Sequence, residues 1–225
     1  AAGIVAWRLG AAGYSVCVLE AGPEDYNPFI HIPAGFSKTL ADPKITWQFT
    51  SDPEPGIQGR SIVYAQGKTL GGSSAINGMI YNRGQAADFD GWAQAGNSGW
   101  SYDEVLPYFK RTENRIGESV DPDYRGVDGR FTVTTPKWPN ELESAFYDAA
   151  INAGYPRNDD YNGASQDGVG AYQSSISNGW RVSSASAFLK PARRKHKVDV
   201  RSNALATAIM LVGKRANGVS YRRGG

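Results

Sequence analysis

The sequence predicts an α/β protein built on a parallel sheet, and three observations carry that prediction. The opening AAGIVAWRLGAAG sets Ile4, Val5, Leu9 and Ala12 at helical spacing, with Gly13 where a helix would stop. The unbroken apolar run Val16, Cys17, Val18, Leu19 follows, the pattern of a strand buried on both faces, and it ends at Glu20-Ala21-Gly22. A helix feeding such a strand is the crossover of a βαβ unit, so a preceding parallel strand is expected ahead of residue 1.

The remaining elements follow in order. Between Pro23 and Arg60, Pro, Gly and aromatic residues are frequent and periodicity is weak. A long ordered loop is expected there, with Phe29, Ile32, Phe36, Trp47 and Phe49 buried. Ser101 and Glu104 form a capping box ahead of Val105, Leu106, Tyr108 and Phe109, which predicts a helix over 101–113 in spite of Pro107. Phe131 and Val133 alternate within a short strand around Val127 to Thr135. Asn140 caps an amphipathic helix that runs to Ala153 and is closed by Gly154. Val169 to Ser177 alternates as a further strand, a helix begins over Ser183 to Phe188, and VDVRS and ALATAIMLVG read as two strands.

Composition narrows the function classes. With 225 residues, 40% of them hydrophobic, the chain is long enough for a sizeable core. The net charge is only +2, so no global field draws the chain to nucleic acid. The basic run Arg193, Arg194, Lys195, Lys197 has no interleaved aromatic residues and reads as a solvated helix end. The single cysteine, Cys17, excludes an internal disulfide and a multi-cysteine metal site; it is expected to be buried and inert, and a reducing, cytoplasmic location fits, with membrane association left open. No stretch approaches the ~20 apolar residues of a transmembrane helix. No signal segment opens the chain, although one could precede it.

Two constellations point to chemistry. In a nucleotide-binding βαβ unit the third glycine position, which Ala can also fill, opens the helix, and an acid ending the next strand binds the ribose. Counting back from Glu20, Ala2 takes that position, with Gly3 the alternative register; an ordinary helix and strand followed by an exposed Glu is the competing reading. The second constellation is GKTLGGSSAINGMIYNRG, Gly67 to Gly84, where glycines, hydroxyls and Asn77 let backbone amides come close to a ligand. Apolar Leu70, Ile76, Met79 and Ile80 are interleaved, which argues against a plain surface loop.

Gly67 to Gly84 resembles the first signature of the glucose-methanol-choline (GMC) oxidoreductases almost position for position. The similarity continues through RGQAADFDGWAQAGNSGWSYDEVLPYFKRTE, RGVDG at Arg125 to Gly129, DGVGAYQ and RVSSASAFL, and so spans essentially the whole chain. Within the family the sequence is most similar to bacterial choline-dehydrogenase-like and alcohol-dehydrogenase-like members. The resemblance implies a Rossmann-like FAD-binding parallel sheet with part of an antiparallel substrate-binding sheet. It implies an FAD-binding domain over 1–125, the start of a substrate domain over 126–180 and a return to the FAD-binding domain over 181–225, in a chain cut short at both ends.

It also implies site residues. Glu20, followed by Ala21 and Gly22, would bind the adenosine ribose, and Ala2 and Gly3 would face the pyrophosphate. Lys68 and Leu70 belong to the same signature, and Gly71, Gly72 and Ser73 would pack against the diphosphate and ribityl chain. Asn77, Gly78, Met79 and Ile80 would approach the reactive edge of the flavin, and the Ala206 backbone would contact adenine. Some members hold FAD through a histidine in this signature; Ile76 stands there, so non-covalent FAD is expected. The family's catalytic His lies near the carboxyl terminus, and neither His31 nor His196 matches it, so no catalytic residue is assigned within the chain. The implied reaction is oxidation of a small primary alcohol to an aldehyde by hydride transfer to flavin N5, with oxygen or a quinone as final acceptor. A lyase or decarboxylase on the same scaffold, or a catalytically incomplete nucleotide-binding piece, are the alternatives.

Overall fold

The elements predicted at the start of the chain form where the pattern placed them. A computed structural model describes residues 1–117, 120–135 and 140–224. In chain order the chain forms α1 (Ala2–Ala11), β1 (Val16–Leu19), α2 (Pro28–His31), α3 (Phe36–Leu40), β2 (Thr46–Thr50), β3 (Val63–Gly67), α4 (Ala86–Gln94) and α5 (Tyr102–Thr112). It continues with β4 (Glu113–Ile116), β5 (Phe131–Thr134), α6 (Glu141–Asn152), β6 (Ile176–Ser177), β7 (Trp180–Arg181), α7 (Lys190–Lys195), β8 (Val198–Arg201), β9 (Ala204–Val212) and β10 (Arg215–Arg223). These divide into two compact units, one of residues 1–78 with 179–225 and one of residues 79–178.

In the first unit β1 and β8 pair in parallel, Val16 opposite Val198 and Leu19 opposite Arg201. Val198 and Val200 point into a core with Ala6, Leu70, Ala185, Leu189 and Ala192, against which Val16 and Val18 pack. The strand is therefore covered on one face and not on both. Cys17, expected to be buried, is exposed, because successive side chains of a strand point to opposite faces and Val16 and Val18 take the core side. The basic run closes α7 with all four side chains exposed, as expected.

The segment 23–60 departs from the expected loop. It contains α2, α3 and β2, and β2 pairs antiparallel with β3, Thr46 opposite Gly67. Phe29, Ile32, Phe36 and Phe49 are exposed and Trp47 is half-buried. The core here is built instead from Ile30, Ile45, Ala75 and Ile76. The unit ends in a hairpin of β9 and β10, turning at Gly213 with φ +59.

In the second unit the Ser101 and Glu104 capping box opens α5, and Asn140 caps α6, its side chain accepting the Leu142 amide at 3.0 Å. Strands β4 and β5 are parallel, Glu113 opposite Phe131. The strand expected over Val169 to Ser177 is a correction: only Ile176–Ser177 is a strand, preceded by isolated bridges at Val169 and Ser174. Gly168 takes φ +131, and a Cβ on Gly170 would lie 1.9 Å from the Asn158 carbonyl oxygen, so the backbone here is bent and crowded rather than extended.

The interior of this unit is ionic. Glu113, fully buried, accepts from Arg83 Nη2 at 2.6 Å and from Arg125 Nε at 3.1 Å, and its other oxygen meets Arg125 Nη2. Arg125 also meets Asp160 and donates to Gln173 Oε1 at 2.9 Å. Arg83, Glu113, Arg125 and Asp160 thus form a strut in which each of these four charges meets an opposite one, the condition under which buried ions are tolerated.

Candidate cofactor site

Ligands of parallel α/β sheets bind beyond the carboxyl ends of the strands. Glu20 lies there, directly after β1. Its amide donates to the Arg201 carbonyl at 3.0 Å, and its own carbonyl accepts the Ala204 amide at 2.8 Å, so the turn is fastened to both ends of the β8 to β9 connection. Glu20 Oε1 accepts the Gly22 amide at 2.8 Å. Burial raises the Glu20 pKa above its ordinary value, partly opposed by that amide and by Lys68. Gly22 has a packing role: a Cβ there would fall 1.7 Å from the Lys68 carbonyl oxygen. Ala21, Lys68, Asn203, Leu205 and Arg222 line a cleft of about 710 Å³ in this unit, and Lys68 Nζ sits 4.5 Å over the Trp47 ring. Ala206 is the next residue of β9 after Leu205, exposed and paired with Tyr221.

Helix α1 begins at Ala2, with no side-chain cap and no acid in its first turn. Ala2 is exposed, whereas Gly3 is buried, and a Cβ on Gly3 would stand 2.9 Å from the Ser184 carbonyl oxygen. Gly3 thereby permits close packing of α1.

The glycine-rich segment turns at Gly71 (φ +97) and Gly72 (φ +56), left-handed conformations that favour glycine, into a 3-10 helix over Gly72–Ala75. Ser73 Oγ donates to Gln66 Oε1 at 2.8 Å and accepts the Gly67 amide at 3.1 Å. The Leu70 and Ile76 side chains lie in the two cores. Gly78 has open space where a Cβ would stand. In the second unit, Met79 is buried with φ +63 and its carbonyl accepts the Ser175 amide at 2.9 Å, while Ile80 is exposed.

Sequence reasoning missed the residues that hold this turn. Ser74 Oγ donates to the Gly71 carbonyl at 2.7 Å, Ser184 Oγ donates to the same carbonyl at 3.1 Å, and the Ser184 amide donates to Ser74 Oγ at 2.9 Å. Arg181, buried, donates from Nη1 to the Asn77 carbonyl and Oδ1, both at 2.7 Å, and from Nε to the Ile30 carbonyl at 2.6 Å. The signal was present in RVSSASAFL, where an arginine stands just ahead of a hydroxyl cluster, but the partners lie about a hundred residues away. His31 Nε2 lies 2.6 Å from the Asp25 carbonyl oxygen, and the His196 ring packs edge-on against Trp7. Among the described residues no group of three metal-ligating side chains occurs, and no helix is long and apolar enough to cross a membrane.

An acid closing a parallel strand, a helix packed closely through Gly3 and a turn fastened around paired left-handed glycines are features of an α/β protein of the Rossmann-like class. The pattern described as GMC oxidoreductase matches residues 9–225, and the chain belongs to that family. It is 47% identical over 221 residues to an oxygen-dependent choline dehydrogenase of Brucella melitensis and 43% identical over 222 residues to one of Rhizobium etli. Each alignment covers 98% of this chain and 40% of the relative, so the chain spans about two fifths of the length of these proteins. Among solved structures, pyridoxine 4-oxidase from Mesorbium loti superposes with a TM-score of 0.90 at 28% identity, covering 98% of this chain and 44% of the other. An FAD-dependent oxidoreductase from Chaetomium thermophilum gives 0.88 at 29% identity, covering 98% and 40%.

Proposed function

We propose that this chain is the FAD-binding part of an enzyme that oxidises a primary alcohol to an aldehyde. The observation that carries the reading is Glu20, a half-buried carboxylate with one oxygen tied to Gly22, at the carboxyl end of the parallel pair and beside the cleft of Ala21 and Lys68. The residues fit the cofactor. Glu20 has a second oxygen for a ribose hydroxyl, the amides of Ala2 and Gly3 suit a pyrophosphate, and buried Arg181 Nη2 donates to nothing among the described residues. FAD, when bound, supplies the hydride acceptor.

The chain's own part is to bind and orient. Gly71, Gly72 and Ser73 stand against the diphosphate and ribityl chain, and Asn77, Gly78, Met79 and Ile80 present backbone toward the flavin. The Ala206 backbone stands by the adenine. The cofactor is non-covalent, since Ile76 is an aliphatic side chain inside a core. Residues 126–180 begin the substrate-binding portion. The proton acceptor for the alcohol lies outside residues 1–225 on this reading, because neither His31 nor His196 matches the family's catalytic position.

Choline stands in the names of the Brucella and Rhizobium relatives, so choline and short primary alcohols are the first substrates to assay. The complete natural protein should carry FAD, and anaerobic addition of the right alcohol should bleach its yellow flavin band and yield the aldehyde. Loss of the band without aldehyde would favour a different reaction on this scaffold.

A further inference from the structure

Arg181 retains 4% of its accessible surface, and among the described residues no carboxylate meets its guanidinium. Charges so placed are normally paired. This one is held only by oxygens of Ile30, Asn77 and, at 3.4 Å, Ser74, and Nη2 has no partner. Burial pushes its pKa down to about 10, so the group still carries its charge at neutral pH. A trans peptide holds its carbonyl and the following N–H antiparallel, so the grip on the Asn77 carbonyl turns the Gly78 N–H to the opposite side. That amide donates to no acceptor among the described residues, and a Cβ built on Gly78 meets nothing within 4 Å. Gly78 is itself exposed, which leaves this donor accessible to a ligand.

We propose that Arg181 is a positioning residue for the flavin: by gripping Asn77 through both backbone and side chain it aims the Gly78 amide at the cofactor ring, with an uncompensated positive charge behind that peptide. The inference rests on the flavin reading above. A purely structural tie between the α2 segment and the glycine-rich turn would alter stability and leave a bound flavin's properties unchanged.

Two variants of the complete natural protein separate these roles. Arg181→Lys keeps the charge and loses the planar fork; Arg181→Met loses both. Both should weaken FAD binding by at least about tenfold, the scale of one aligned hydrogen bond. Arg181→Met should also move the flavin reduction potential to more negative values, because a nearby positive charge favours the reduced, more anionic ring, while Arg181→Lys should hold it close to wild type. FAD affinity within about twofold of wild type in either folded variant, or one potential shared by all three proteins, overturns the proposal. Should both variants misfold, amide hydrogen exchange on the wild type decides: FAD should slow exchange at Gly78, and an unchanged rate overturns the proposal. A wild type that binds no FAD removes the flavin reading and this inference together, whereas an FAD-binding wild type with unaltered variants removes the role of Arg181 alone.

Discussion

Arg125 in the second unit and Arg181 in the first are both almost wholly buried, at 2% and 4% exposure, but under opposite electrostatic terms. Arg125 meets two carboxylates, Glu113 and Asp160. Burial disfavours its charge, but the hydrogen bond and charge of Glu113, then Asp160, overcome that, and its pKa rises. Arg181 meets only carbonyl and amide oxygens, and burial alone governs its pKa, which falls. A buried charge with its counter-charges in place is part of the framework. Arg181, without them, is the charge that the proposal above turns toward the flavin.

The largest effect that would test this contrast is in the second unit. Glu113→Gln leaves Arg83 and Arg125 buried without their shared carboxylate and should lower stability by about 3 to 5 kcal/mol. Urea unfolding of the complete protein measures it, and a loss under about 1 kcal/mol would mean the cluster is not the strut described above. In the first unit, Glu20→Ala should change little in stability and weaken FAD binding by about 1 to 3 kcal/mol, the loss of a charge-assisted hydrogen bond. An unchanged FAD titration would remove Glu20 from the site.

A smaller effect is carried by pH. The folded state holds the Glu20 proton more tightly than the unfolded state, whose carboxyl titrates near 4.5. Its ionisation therefore destabilises the apoprotein as pH rises through 4.5 toward the raised folded value, and the deficit persists above it. Glu20→Gln has no proton to lose, so it should stabilise the apoprotein at neutral pH and give no such gain where the carboxyl is protonated in both states. Thermal unfolding across pH checks this, and a gain equal at all pH values would point to a packing effect instead. The smallest expected effect is none: acid precipitation should leave all flavin colour in the supernatant, since Ile76 has no nucleophilic atom. Colour in the pellet would direct attention to His31.

The elements legible in the sequence were those whose signal is local. The helix before β1, the Ser101 and Asn140 caps and the strands at 198–201 and 204–212 were read from spacing and capping residues. The β2 and β3 pair escaped because its partners stand on opposite sides of a turn-rich stretch with weak alternation. The strand expected at 169–177 failed because Gln173, Ser174 and Ser175 are buried in succession, so burial there does not alternate as in a strand with one covered face. At the candidate site, Glu20 and the Gly71 and Gly72 turn were visible as motif residues, whereas Ser184 and Arg181 were quoted in a motif without a role.

By itself, then, the sequence determined the succession of α1 and β1, the acid at the end of β1 and the glycines whose left-handed turns no other residue adopts as readily, because each follows from neighbours a few positions apart. Only the tertiary structure decided which charges are paired. Glu113 finds Arg83 thirty residues away, and Arg181 finds Asn77 across 104, with no carboxylate among its described partners. Burial strengthens an electrostatic contact and makes its absence costly, and burial is a property of the folded chain that no local pattern encodes.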